Sequence, residues 1–208
     1  LLFITGKYII LYRSNFMLKK LLGGFLLLSC GYSLTSLASI PISTCPDIQV
    51  CFTPGQNCTA EITEVIDAAK KSIFVQAYSF TSMPIAEHLI AAKNRGIAVN
   101  VILDKSQKSQ RYSASHLLVD QHIPCWIDYK PAIAHNKIMI IDEKEVITGS
   151  FNFTKAAQSR NAENLLIIRD PSLAKLYMQN WRRRKAVSRY LNPQTEPHCG
   201  LIKLDETY

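Results

Sequence analysis

His135-Asn136-Lys137-Ile138-Met139-Ile140-Ile141-Asp142, followed by Gly149-Ser150-Phe151-Asn152-Phe153, is the stretch on which the reading of this chain turns. Residues 134–141 alternate and then become wholly apolar, which predicts a β-strand entering a core. Side chains two apart on a strand share a face, so His135 and Lys137 project together and Asn136 projects away. Asp142-Glu143-Lys144 reads as a polar turn and 145–148 as a second strand. Gly149 permits backbone geometry closed to other residues, and Ser150 and Asn152 share a face by the same period of two. Each residue alone has an ordinary use: a strand histidine is usually structural, and Ser and Asn after Gly are common in turns. Together, at fixed spacing in an apolar hairpin, they gather an imidazole, an ammonium, a hydroxyl and an amide at one end of a sheet. A neutral imidazole is a nucleophile and the others are donors for developing negative charge. That set is suited to attack on a phosphodiester without a metal ion.

Outward from the hairpin, strands and helices alternate. Strands are predicted at 48–52, 72–78, 97–103, 124–127 and 164–168. Helices are predicted at 60–71, 84–95, 114–121 and 171–184, the second opening on Pro84 and stopping at Gly96. A polar loop occupies 105–111. The alternation argues for an α/β fold in one domain, with a mixed, largely parallel sheet flanked by helices.

The chain has 208 residues and no repeat or low-complexity tract. Residues 17–38 have the charge, Leu-rich stretch and small-residue end of a signal peptide, and residues 1–16 read as an upstream extension before Met17. The expected organisation is a leader at 1–38 and a single catalytic domain at 39–208, exported to the periplasm or the medium. The apolar run 21–28 is too short to span a bilayer, which takes about 20 residues. The formal charge of +8 includes four cations of that leader and none of the acids, so residues 39–208 carry 20 basic and 16 acidic residues, or +4. This mild excess suits a polyanionic partner without proving one. Arg182, Arg183, Arg184, Lys185 and Arg189 form a C-terminal cluster that reads either as a track for a nucleic-acid backbone or anionic lipid, or as a solvated helix end. Cys51 and Cys58 flank a turn-rich loop and suit a short-loop disulfide in an oxidising compartment, leaving Cys45, Cys125 and Cys199 with an odd thiol. No Cys-x-x-Cys or paired His motif is present, so neither a metal nor a cofactor is expected.

The His-x-Lys, four residues, Asp pattern, then Gly-Ser-x-Asn, resembles the HKD motif of the phospholipase D superfamily. Residues 149–157 and 161–164 resemble its small bacterial single-motif branch, as do 76–81 and 91–97; the likeness runs from about 50 to about 184. The resemblance implies a two-step reaction through a phosphohistidine. His135 is then nucleophile and general acid/base, Lys137, Ser150 and Asn152 bind phosphate, and Asp142 has a structural or orienting role. Glu163 matches a carboxylate that hydrogen-bonds the catalytic imidazole. The reaction needs two histidines. His88, His116, His122 and His198 lie in no comparable setting, so the second His135 is expected from another copy, in a two-fold homodimer sharing one site.

Both nucleic acids and phospholipids offer the required diester. The short chain leaves little for a lipid-binding insertion, which favours a nonspecific endonuclease on DNA or RNA. The phospholipase D names used in this branch, and the apolar Ile85, Pro131, Ile133 and Ala134, favour phospholipid. The intact His/Lys/Ser/Asn/Glu set argues against a catalytically silent nucleic-acid-binding protein.

Overall fold

The computed structural model describes residues 46–110 and 112–192, within one unit spanning Ser39–Tyr208. The expected leader and Cys30, Cys45, His198 and Cys199 lie outside the described residues. The elements run β1 (Asp47–Thr53), α1 (Cys58–Ala68), β2 (Ser72–Ala77), α2 (Met83–Asn94), β3 (Ala98–Asp104), α3 (Ser115–Asp120), β4 (Cys125–Asp128), β5 (Lys137–Ile141), β6 (Glu145–Gly149), α4 (Lys155–Ser159), β7 (Glu163–Arg169), α5 (Pro171–Val187) and β8 (Arg189–Tyr190). Lys105–Lys108 winds into a short 3-10 turn where a loop is expected. The helices start where side chains relieve their first amides: Asn57 Oδ1 accepts from Ala60 N, and the Asp170 carboxylate accepts from Ser172 and Leu173 ahead of α5.

The eight strands form one sheet in the order β1-β7-β6-β5-β2-β3-β4-β8. It is mixed, but parallel pairing is confined to β2-β3 and β3-β4, and the other five pairings are antiparallel. The departure from a largely parallel sheet has a simple cause. β1, β2, β3 and β4 are joined in turn by helical crossovers and run in the same direction, but only β2-β3 and β3-β4 end up as neighbours. β5 and β6 are joined by a tight turn, and β6 and β7 by a short segment holding α4. The β5-β6-β7 meander therefore folds antiparallel between β2 and β1.

The sheet is covered on both faces. Ile73, Val75, Met139, Ile141 and Ile147 pack with α1 and α2 residues such as Ile62, Ile66, Ile85 and Leu89. On the other face Ile102, Ile138, Ile140 and Val146 meet Ala174, Met178 and Trp181 of α5. Trp181 donates its indole N–H to Val75 O and stands 4.9 Å from Phe74. The basic end of α5 is largely bound into its own fold. Arg184 forks onto Asp128 with two bonds of 2.7 Å, Arg182 pairs with Glu143, and Lys185 lies over Trp126 at 4.2 Å. The Cys51–Cys58 disulfide is present, tying the end of β1 to the start of α1. Cys125 is a buried free thiol whose burial pushes its pKa up to about 12, which removes thiolate reactivity.

Candidate active site

One edge of the sheet collects the polar side chains of the hairpin. β2, β3 and β6 end there, and β5 and β7 begin there. The β5–β6 register, continued two residues from Met139 opposite Ile147, sets Lys137 across from Gly149. Gly149 in turn pairs with Leu165, beside Glu163 and Asn164.

His135 precedes β5 rather than lying within it, but the shared face holds. Lys137 Nζ stands 2.9 Å from His135 Nδ1 and 3.2 Å from Nε2, and donates to His135 O at 3.0 Å. His135 is exposed, whereas Lys137 is 7% exposed. Burial pushes the Lys137 pKa below the ordinary lysine range, and the Glu163 charge pulls it partly back. Asn136 projects the other way, as expected, and its Oδ1 accepts from Gln76 Nε2 at 2.9 Å.

Glu163 is held from two sides. Ser150 Oγ donates to its Oε2 at 2.6 Å and Asn161 Nδ2 to its Oε1 at 2.9 Å. The Ser150 hydroxyl thus faces a carboxylate, and no bond joins Glu163 to His135 of the same chain. Gly149 has φ +140°, and a Cβ there would lie 2.3 Å from the Asn164 carbonyl oxygen. That close approach is what lets Ser150 N and Phe151 N both reach Asn164 O. Asn152 Oδ1 is a buried acceptor without a partner among the described residues, so a group completing its bonding would donate, whereas a phosphate oxygen could be met only by the Asn152 Nδ2 amide. An orphan buried polar atom of this kind is expected where a ligand completes the bonding.

Asp142 is not brought to this site. It lies at the far end of β5, with φ +53° in the β5–β6 turn. Its carboxylate accepts from the amides of Lys70, Lys71 and Ser72 at 2.7–2.9 Å. Burial works to raise its pKa, but these amides and the Lys144 charge outweigh it and hold the carboxyl below its usual range. These bonds fix the α1–β2 connection at the end of β5 opposite His135.

Two residues of this edge were not singled out from sequence. Tyr78 packs its ring 4.5 Å from the His135 imidazole. Asp104, only 3% exposed, accepts from Ala134 N at 2.7 Å and so fixes the backbone next to His135. Both stand at or just past the carboxyl ends of parallel strands, where sites of α/β sheets gather, and that position is the signal that points to them. Among the described residues no group of three or more His, Cys, Asp or Glu side chains is placed to hold a metal ion.

The family described as "Cardiolipin synthase, PLD-like domain" matches residues 62–185. A Rickettsia conorii protein named phospholipase D is 48% identical over 155 residues, covering 74% of each chain. Among solved structures, a phospholipase D family member, Nuc from Salmonella typhimurium, is 37% identical, with a TM-score of 0.68 over 71% of this chain and 99% of that one. NucT from Helicobacter pylori shares the fold at TM-score 0.64, over 70% of this chain and 99% of that one, with 24% identity. The chain belongs to the phospholipase D superfamily and is a phosphodiesterase of that class.

Proposed function

We propose that this phosphodiesterase is a metal-independent, nonspecific endonuclease that works through a phosphohistidine on His135. The observation that carries the mechanism is the contact of Lys137 Nζ with the exposed His135 ring at 2.9 Å, with Glu163 coupled electrostatically to the same lysine. In the first step a ring nitrogen of His135 attacks phosphorus and the ester oxygen leaves with a proton from a second imidazole. In the second, that imidazole takes a proton from water, which displaces His135 and releases the phosphomonoester. Lys137, Asn152 and Ser150 supply charge and donors to the non-bridging oxygens, where most of the barrier reduction arises. Substrate phosphate would draw the Ser150 proton away from Glu163, freeing that carboxylate to orient an imidazole.

The second imidazole comes from a second copy. His88 is occupied with Asp67 at 2.9 Å on the α1–α2 side. A two-fold dimer brings a second His135 to the first, each chain adding Lys137, Ser150, Asn152 and Glu163.

A nucleic-acid substrate is favoured by economy of chain. The described residues are consumed by one sheet and its covering helices, with no inserted segment to shelter an acyl chain. The phospholipid reading rests on the name of the Rickettsia relative and on Ile133, which is 54% exposed two residues before His135. The deciding experiment assays the protein side by side on single-stranded DNA, double-stranded DNA and labelled phosphatidylcholine, each with excess chelator. Cleavage of DNA alone, unaffected by chelator, is the expected result. Turnover of phosphatidylcholine alone would replace the substrate, and activity abolished by chelator and restored by a divalent cation would overturn the mechanism.

A further inference from the structure

Glu163 opens β7 with both carboxylate oxygens engaged, and its two partners differ in kind. On Oε2 sits the Ser150 hydroxyl, which the proposed reaction turns towards substrate phosphate. On Oε1 sits the Asn161 amide, reaching Glu163 from two residues earlier in the chain. When phosphate draws the Ser150 proton away, the Asn161 bond still holds the carboxylate.

The main chain of Asn161 is pinned on both sides. Its N–H donates to Ala156 O at 3.0 Å. Its carbonyl accepts from Thr53 Oγ1 at 3.1 Å, and the same hydroxyl lies 2.8 Å from Ala157 O. One hydroxyl carries one proton, so Thr53 divides it between two carbonyls of this segment. Thr53 is 4% exposed, ends β1 and stands opposite Glu163 in the β1–β7 register. Gln158 adds two ties to the chain around the Cys51–Cys58 disulfide. Its Oε1 accepts from Thr59 N at 2.8 Å and its Nε2 donates to Gln56 O at 2.9 Å. A surface side chain ordinarily gives up rotamer freedom for little return in a single bond. Here the backbone that carries the amide is fixed in advance, so less freedom is lost in directing it at Glu163.

We propose that Asn161 is the positioning residue of Glu163: its amide holds Oε1 in place while Oε2 passes from the Ser150 hydroxyl to an imidazole N–H. The inference rests on the endonuclease reading and its two-step reaction, and extends them to a residue that acts through the carboxylate alone. The terminal torsion of a glutamate is broad. A carboxylate tied at one oxygen keeps the other aimed, whereas an untied one meets the ring correctly in only part of its orientations. A misaligned imidazole slows proton transfer without weakening phosphate binding, so the effect falls on the chemical step.

The test is a double-mutant cycle on a single-stranded thymidine oligonucleotide, using the full chain as wild type, Asn161→Ala, Glu163→Ala and the double variant. Asn161→Ala is expected to lower kcat about tenfold, the scale of one hydrogen bond to a charged group, with KM nearly unchanged. In the Glu163→Ala background the same substitution should change kcat by less than about twofold, because its route to the chemistry is gone. Thermal melting of Asn161→Ala close to that of wild type accompanies this result, since Asn161 is exposed. A wild-type kcat in Asn161→Ala, or the same fold loss in both backgrounds, overturns the role of Asn161 and leaves that of Glu163 standing. Glu163→Ala with the kcat of wild type overturns both roles. No cutting of the oligonucleotide by wild type overturns the endonuclease reading and the inference with it.

Discussion

At the scale of single residues, the site holds a pair whose members have opposite exposure. His135 is open to substrate while Lys137 is nearly enclosed, so the lysine meets phosphate in a setting where its charge is poorly screened. Lys137→Ala is expected to lower kcat/KM by about a hundred- to a thousandfold, the usual cost of one charge-stabilising donor. His135→Ala removes the reaction path, and a variant keeping a tenth of the activity would show the nucleophile lies elsewhere. The depressed lysine pKa gives a signed pH effect. Lys137 loses its proton before an ordinary lysine does, so kcat/KM should begin to fall at a pH below the ordinary lysine range. Stability runs the other way. A base depressed in the fold is least favourable when charged, so its contribution improves as pH rises through the folded pKa. The His135/Lys137 pair was legible from sequence because a period of two survives even though the strand proper begins only at Lys137. The bonds of Ser150 and Asn161 to Glu163 were not legible, because they join segments 13 and 2 residues apart through a loop shape that no periodicity encodes.

At the scale of elements, β5 explains why Asp142 leaves the site that its place in the motif suggests. A five-residue strand at about 3.3 Å per residue carries the chain to the opposite edge of the sheet. There Asp142 is a hub for three amides from the α1–β2 connection. Asp142→Asn keeps a side chain tolerant of the left-handed backbone and removes the charge. It should destabilise the fold at neutral pH by about 1–3 kcal/mol, the range for bonds to a charged group, while leaving the chemical step nearly intact. Because the folded pKa of Asp142 is depressed, this stability is present above the unfolded carboxyl pKa and is lost as pH falls through the folded one. Urea melts of the two proteins should therefore converge in acid. A selective loss of kcat with unchanged stability would return Asp142 to the catalytic set. The strand and helix periodicities and the β5-β6 hairpin were readable here, and the insertion of the β5-β6-β7 meander between β2 and β1 was not, because pairing partners depend on connection lengths rather than on the strands' own pattern.

At the scale of the whole molecule, one motif per chain makes the second imidazole a question of assembly. Mixing equal amounts of wild type and His135→Ala and allowing subunits to exchange leaves about one quarter wild-type pairs under random two-fold association. If the site is shared, activity falls to about that fraction of an all-wild-type sample at equal total concentration. A fall to about one half would mean that each chain carries a complete site. In the proposed dimer two enclosed Lys137 side chains would face and repel one another, so inorganic phosphate should tighten it by linkage, measurable as a lower dissociation constant in sedimentation. The mixed sheet with helices on both faces followed from the alternation of apolar strands and amphipathic helices. The basic end of α5 left two readings open because composition counts cations without showing that Arg184 and Lys185 are engaged by Asp128 and Trp126.

The most direct test of the central claim is a rapid alkaline quench during turnover of an oligonucleotide, followed by peptide mapping of His135 by mass spectrometry. A phosphoramidate is stable in base and labile in acid, so the intermediate should appear as a nucleotidyl adduct on the peptide bearing His135. It should be absent from His135→Ala and lost on acid treatment. Steady turnover with no adduct on His135, or an adduct on another residue, would contradict the account.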